Sequence, residues 1–366
     1  PLRRQRQMCI RDRYQGLPQQ LQENAKNITG LVYYDLACYQ ALQGKKKAAL
    51  KNFEKAFNSG WNDYNHAKGD SDIDNLRKEK KYLEIMAKMR LDSDYLYILQ
   101  QAEGYNRTET KPICYNESVT DTLPRFTYMN PNDSNLVQLR KHFNLDSIAG
   151  SGDEISKIKN LLYWVHNIVP HDGNSRNPEE RNTIAMVELC KKENRGVNCR
   201  MMAQMLNECY LAMGFKSRFI TCMPKVMIND CHVINAVYSN TLDKWLWMDP
   251  TFNAYVTDEK GNLLGIGEVR ERLRNNQPVV LNEDANWNNK NKQTKEYYLD
   301  YYMAKNLYYV TCPLQSEYNA ETNYPGKKWP MYISLVPEGY SSNGKPGATA
   351  YDSHNDSYFW QSPYQE

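Results

Sequence analysis

The stretch GVNCRMMAQMLNECYLAMG, residues 196–214, decides the fold. After Cys199 its apolar residues recur at steps of three and four, which is typical of a helix with one buried face. They are Met201, Met202, Met205, Leu206, Cys209, Ala212 and Met213. Gly214 supplies a C-terminal stop. The pattern therefore places Cys199 in the first turn of a helix, where unpaired N–H groups and the positive end of the helix dipole favour a thiolate.

The residues that follow predict an antiparallel hairpin. Three runs rich in β-branched or aromatic residues indicate strands, and a polar segment separates the last two. The strands are 219–223, 233–238 and 245–248, and the turn is 239–244. This hairpin would bring His232 and Asp249 nearly opposite each other at its open end, with side chains in reach. An imidazole held by a carboxylate beside a helix-mounted thiol is the arrangement used for nucleophilic acyl transfer.

Each of these three residues also has a structural interpretation. A cysteine at the start of an apolar helix is commonly a small buried hydrophobe. An aspartate before Pro250-Thr251 is commonly a turn former. His232 alone is no more specific, so only the joint arrangement of Cys199, His232 and Asp249 indicates chemistry.

Four short motifs give the chain a resemblance to a known family. The motifs are GVNCR (196–200), GFKSR (214–218), CHV (231–233) and WLWMDPT (245–251). Together they resemble the core of the transglutaminase-like superfamily, which is related in fold to papain-type cysteine proteases. The resemblance covers residues 135–312, about half the chain. It implies an α+β fold in which the helix bearing Cys199 packs on an antiparallel sheet bearing His232 and Asp249.

The resemblance also implies roles and a reaction. Cys199 would be the nucleophile, His232 the general base and acid, and Asp249 the group that orients the imidazole. The expected activity is thiol-dependent acyl transfer on a peptide or carboxamide substrate. Hydrolysis by a protease or amidase is favoured over cross-linking, because bacterial-looking members commonly hydrolyse and no calcium loop of alternating acidic residues occurs.

Two other functions fit the same residues. The first is a catalytically inactive module that binds peptide or glycan and uses helical repeats as an interaction surface. The second is removal of N-linked glycans, which shares the triad, although the sequence has no glycan-specific feature. A direct approach of the His232 ring to the Cys199 sulfur would favour catalysis over the inactive module.

Stabilisation of an oxyanion requires two hydrogen-bond donors. The backbone N–H of Cys199 is one candidate. Transglutaminases proper supply the second from an upstream aromatic or amide side chain, for which Asn194 and Asn198 are the candidates here. His171, in HNIVPHDG (166–173), is interpreted as the solvated end of the preceding helix, with a substrate-side role as the alternative.

Composition limits the remaining classes. The chain has 366 residues, 41% of them hydrophobic, and a net charge of +3. Residues 1–13 resemble a translated sequencing adapter, and they hold five arginines and one aspartate, so without them the net charge changes from +3 to −1. The basic balance then disappears, and we expect no nucleic-acid partner. No run of eighteen apolar residues occurs, so the sequence predicts no membrane-spanning helix.

The cysteines do not indicate a cross-linked scaffold or a metal site. Nine cysteines in a chain of this length, one of them in the adapter-like segment, are too sparse for a disulfide framework. No Cys-x-x-Cys pair occurs, and Cys222, Cys231 and His232 lack a fourth ligand at suitable spacing. We therefore predict no metal and no cofactor.

The N-terminal third has a helical pattern. In residues 14–102, small and apolar residues recur in a helix, turn and helix order that resembles tetratricopeptide units. The predicted inner faces are Val32, Tyr33, Leu36, Ala37 and Gln40 on one helix and Ala49, Phe53 and Ala56 on the next. Such a region either braces the second domain or binds a protein partner.

These patterns predict the domain order and the location. The helical region at 14–102 is followed by a linker at 103–134, a catalytic domain at 135–312 and a C-terminal extension at 313–366. The expected partner is a peptide or protein substrate. A thiol hydrolase beside helical repeats and a polar tail is typical of a bacterial envelope or secreted protein whose native N-terminus is missing.

Overall fold

A computed structural model describes residues 19–101, 114–118, 124–225, 231–342 and 350–364. The adapter-like segment 1–13 and part of the predicted linker at 103–134 lie outside these residues. The chain forms two compact units, and the boundary between them falls after Ile98.

The first unit is helical. Among its described residues, four α-helices follow one another, with a short 3-10 helix at Ser71–Leu76 before the last. They are α1 (Gln19–Leu42), α2 (Lys46–Asn58), α3 (Tyr64–Gly69) and α4 (Lys80–Ser93). Helix α5 (Tyr95–Gln101) spans the boundary between the units.

The core of the first unit corrects one predicted face. On α2, the predicted positions Ala49, Phe53 and Ala56 are all fully buried. On α1, the predicted position Ala37 is buried, but Val32 and Leu36 are exposed, and the other buried positions are Tyr34, Cys38 and Ala41. Apolar residues lie on both sides of α1, so the helical period was predicted correctly but its buried side was not. The tetratricopeptide interpretation stays a prediction.

The second unit is built on a six-stranded sheet. The strands are β2 (Ser217–Met223), β3 (His232–Ser239), β4 (Lys244–Met248), β9 (Tyr309–Pro313), β11 (Tyr332–Leu335) and β12 (Ala350–Ser353). Their order in the sheet is β12-β11-β9-β2-β3-β4, and all neighbours are antiparallel except β11 and β12. Two of the six strands come from the segment 313–366, which is therefore part of the sheet in this structure.

Short strand pairs and helices complete this unit. The pairs are β1 (Thr127–Tyr128) with β10 (Gln315–Ser316), β5 (Val256–Thr257) with β6 (Val280–Leu281), and β7 (Asn286–Trp287) with β8 (Asn291–Lys292). The helices are α6 (Ser134–Phe143), α7 (Leu145–Ala149), α8 (Glu154–Ile168), α9 (Thr183–Glu193), α10 (Cys199–Ala212), α11 (Ile266–Arg274), α12 (Lys295–Tyr297), α13 (Ala304–Asn306) and α14 (Asp356–Phe359), with a π-helical turn at Tyr298–Met303.

Helix α10 is the centre of the second unit. Twelve of its fourteen residues are buried, because it packs on β2 and β3 on one side and on α6 and α8 on another. Each large apolar side chain buried in this way contributes about 1.5–3 kcal/mol to stability. The predicted α+β class, with the cysteine-bearing helix packed on the sheet, is confirmed.

No helix among the described residues is both long and apolar enough to cross a lipid bilayer.

Candidate active site

Cys199 is the first residue of α10. Asn198 caps this helix, because its Oδ1 accepts a hydrogen bond from the backbone N–H of Met201 at 3.2 Å, while its Nδ2 donates to Asn177 at 2.6 Å. Because Cys199 is the first residue of the helix, its backbone N–H has no acceptor within the helix. The cap occupies Oδ1 of Asn198 and the bond to Asn177 occupies its Nδ2, and the exposed Asn194 is the C-cap of α9. The structure therefore gives both asparagines a capping position.

His232 begins β3 and lies opposite Cys222 of β2. Its Nε2 atom lies 2.6 Å from Oδ2 of Asp249, and both side chains are almost completely buried. On the other side of the ring, the buried Nδ1 makes no hydrogen bond to a described nitrogen or oxygen. That atom is left to the Cys199 thiol, which interacts with the His232 side chain.

Asp249 follows β4 directly. In the register of β3 and β4, Asn235 pairs with Met248. The same register would put Asp249 opposite residue 234, which is two positions from His232 on β3. The two side chains thus share one face as diagonal neighbours. The carboxylate accepts two further hydrogen bonds, from the Tyr298 hydroxyl at 2.6 Å and from the backbone N–H of Thr251 at 2.9 Å. These donors fix the carboxylate that binds the imidazole.

Charge and hydrogen bonding shift the pKa values of both reactive groups. Burial acts to raise the pKa of Cys199, but hydrogen bonds from the His171 and His232 side chains and the charge of His232 lower it to about 6. The backbone N–H of Val233 acts in the same direction. Burial acts to lower the pKa of His232, and the charge and hydrogen bond of Asp249 raise it above its usual value. Both shifts favour a thiolate paired with an imidazolium.

His171 contacts the thiol, in contrast to its predicted place at a solvated helix end. It forms an isolated β-bridge with Val197, two residues before Cys199, and its side chain hydrogen-bonds the thiol. Its Nδ1 accepts a hydrogen bond of 2.9 Å from Nε1 of Trp287. His171 is half-buried, and its position beside the thiol agrees with the alternative interpretation, a substrate-side role. The site therefore contains two imidazoles.

Aromatic rings and a third histidine support the site. The rings of Phe252 and Tyr302 lie 5.6 and 5.1 Å from the ring of His232 and shield it from water. Buried His166 of α8 binds the carbonyl of Pro250 and the side chain of Asn286, both at 3.0 Å. Helix α8 is thereby tied to the loop that carries Asp249.

The structure brings together the three residues selected from the sequence and adds three more. Cys199, His232 and Asp249 form a connected series, as the hairpin prediction required. The additional residues are His171, Trp287 and Tyr298. The sequence context of Trp287 could have indicated a contact with a distant segment, because this lone tryptophan in an asparagine-rich loop has no local apolar partner. Tyr298 stands among several tyrosines, and its pattern alone does not separate it from them.

Comparison with known proteins agrees with the resemblance seen in the sequence. Residues 141–250 match the model of the Transglutaminase-like superfamily, and this segment includes Cys199, His232 and Asp249. A solved structure described as a "Putative Cysteine Protease from Cytophaga hutchinsonii" is similar over 40% of this chain and 46% of that chain, with 16% identity and a TM-score of 0.25. The similarity thus spans less than half of that protein. A search of curated proteins finds no match.

Proposed function

We propose, on the premise that residues 141–250 are transglutaminase-like, that this protein is a thiol enzyme of acyl transfer. Cys199 is the nucleophile, His232 carries the proton, and Asp249 orients the imidazole. The substrate is a peptide or a carboxamide, and water is the favoured acceptor. One observation carries the proposal: the thiol, whose pKa is lowered to about 6, faces a buried imidazole that is hydrogen-bonded to a buried carboxylate.

The chemistry follows from these positions. The Cys199 thiolate attacks the substrate carbonyl, an S–C bond forms, and the π electrons of the carbonyl move to its oxygen. When the oxyanion collapses, the C–N bond breaks and the amine leaves with the proton from Nδ1 of His232. Water then attacks the thioester and gives a proton to His232. Collapse of this second oxyanion breaks the S–C bond, which releases the acid and restores the Cys199 thiolate beside the protonated His232.

Alkylation with iodoacetamide tests the nucleophile. The test uses a Cys114→Ser background, because Cys114 is exposed and its thiol would also be labelled. At neutral pH, peptide mapping by mass spectrometry is expected to show Cys199 labelled first, and Cys199→Ala is expected to lose both rapid labelling and hydrolysis of peptide 4-nitroanilides. If Cys199→Ala hydrolyses these substrates as fast as the parent protein does, the proposal is wrong.

A competition assay tests the acceptor. A peptide with a glutamine side chain is incubated with the protein in the presence and absence of an excess of a fluorescent primary amine. Hydrolysis predicts that the free acid remains the main product when the amine is present. A fluorescent amide as the main product would show transamidation instead, and it would leave the roles of the three residues intact.

A further inference from the structure

The segment that carries His171 is held against the start of α10 by backbone hydrogen bonds. The N–H of Val197 donates to the carbonyl of Pro170 at 3.1 Å, and the N–H of Asp172 donates to the carbonyl of Val197 at 2.8 Å. The approach requires Gly196, since a Cβ atom at this position would lie 2.3 Å from the Pro170 carbonyl oxygen. The geometry therefore fixes His171 beside Cys199.

Trp287 determines which nitrogen of a neutral His171 ring is the hydrogen-bond acceptor. An indole N–H can only donate, so Nδ1 of His171, which lies 2.9 Å from Nε1 of Trp287, must be an acceptor. A neutral imidazole that accepts at Nδ1 carries its hydrogen on Nε2. Two hydrogen bonds with Asn288 hold the backbone of His171, at 2.7 Å to its N–H and at 2.9 Å to its carbonyl oxygen. The ring thus presents an N–H donor to the Cys199 thiol.

We propose that His171, held by Trp287 as the Nε2–H tautomer, donates a hydrogen bond first to the Cys199 thiolate and then to the substrate oxyanion. This inference rests on the proposed acyl transfer, and it gives a specific task to His171, for which the sequence offered a substrate-side role only as the alternative interpretation. The substrate oxygen lies next to the sulfur once the S–C bond forms, within reach of a donor that already binds the sulfur. The backbone N–H of Cys199 is the other donor.

The two imidazoles have different tasks. His232 is bound to Asp249 at Nε2 and uses Nδ1 to give its proton to the leaving amine. His171 is bound to an indole and transfers no proton in any step, so its hydrogen bond is available throughout the reaction. The negative charge of the sulfur passes to the substrate oxygen during the attack. The Nε2–H of His171 then donates its hydrogen bond to that oxygen instead of to the sulfur.

Two reactions of Cys199 distinguish the hydrogen bond from His171 to the thiolate from its hydrogen bond to the oxyanion. Alkylation by iodoacetamide requires the thiolate but forms no oxyanion, whereas acylation by 4-nitrophenyl acetate requires both. For His171→Leu, we expect the pH midpoint of alkylation to rise. At a pH high enough for the variant to be alkylated as fast as the parent protein, we expect its acylation rate to remain about 100-fold below the parent rate. His171→Gln keeps an N–H donor of similar length, and its acylation rate is expected to stay within about tenfold of the parent rate.

Two further variants complete the experiment. Trp287→Phe keeps His171 but removes the hydrogen bond that sets its tautomer, so its acylation rate should lie between those of the parent and His171→Leu. His142→Gln changes an exposed histidine and is the matched control. An unchanged ratio of acylation to alkylation in both His171→Leu and Trp287→Phe would overturn the inference. This ratio is measured at Cys199 itself, so it is decisive even if Cys199→Ala disproves amide hydrolysis as the function.

Discussion

Tyr298 donates its hydroxyl hydrogen to Oδ2 of Asp249 at 2.6 Å, the same oxygen that binds Nε2 of His232. Burial and the charge of Asp249 raise the pKa of Tyr298 well above its usual value, so the hydroxyl stays protonated and remains a donor. The hydroxyl oxygen also accepts a hydrogen bond from Nε1 of Trp247 at 3.2 Å. A buried series of hydrogen bonds therefore connects β4 to the imidazole that faces Cys199.

The first prediction concerns this tyrosine. Tyr298→Phe removes a hydrogen bond to a charged group, and we expect the free energy of unfolding to fall by about 1.5–3 kcal/mol and kcat to fall about tenfold. Urea denaturation and hydrolysis of peptide 4-nitroanilides measure the two effects. Tyr297→Phe is the control, because the neighbouring ring is 55% exposed. Equal values for the two variants would show that the Tyr298 hydroxyl does not support Asp249.

The second prediction concerns Asp249. In Asp249→Asn, the amide N–H₂ would face Nε2 of His232, and Nε2 would have to accept a hydrogen bond. The ring would then carry its hydrogen on Nδ1, so Nδ1 could not take a proton from the thiol. We expect kcat to fall by about 10³–10⁴. The loss should occur with little change in KM, because Asp249 is fully buried. Asp35→Asn, at an exposed position of α1, is the control and should retain the parent rate.

The third prediction is a pH dependence. Since the pKa of Cys199 is lowered to about 6, the thiolate is present above that pH and is lost as the pH falls through it. The rate of alkylation by iodoacetamide in the Cys114→Ser background should therefore rise with a midpoint near pH 6, whereas an ordinary cysteine titrates at about 8.5. Asp249→Asn should raise this midpoint, because it removes the charge that stabilises the imidazolium. A midpoint at the ordinary value in the parent protein would contradict the thiolate and imidazolium pair.

The parts of the site predicted from the sequence are those with local patterns. Helix α10 has a regular apolar period, and His232 and Asp249 are only 17 residues apart on one hairpin, so a turn and two strands suffice to bring them together. Trp287 and His171 are separated by 116 residues, and neither lies in a periodic segment. Their contact is set by the packing of the loop at β7 and β8, for which a single sequence gives no signal.

The difference between local patterns and long-range contacts also applies to the fold. The helical period of α1 was correct, but a period does not select between two apolar sides, and Val32 and Leu36 proved exposed. In the segment 313–366, β11 pairs with β9 on one side and with β12 on the other. These pairings are short and join segments that are distant in the sequence, so composition alone does not predict that the extension contributes two strands to the central sheet.

The last prediction concerns Gly196, which has no side chain because the Pro170 carbonyl occupies the space. In Gly196→Ala the new Cβ would lie 2.3 Å from that oxygen, so the two segments must separate. We expect the free energy of unfolding to fall by about 1–3 kcal/mol. Gly173→Ala is the matched control in the same region, because its Cβ would meet Cε1 of His171 at an ordinary 3.6 Å, and its stability should change by no more than about 0.5 kcal/mol.

The separation of the Pro170 and Val197 segments in Gly196→Ala should also withdraw His171 from Cys199. The alkylation midpoint of Gly196→Ala should therefore rise, while that of Gly173→Ala stays at the parent value. Loss of stability in Gly196→Ala without any change in that midpoint would show that the Pro170 and Val197 pairing is structural and does not position His171.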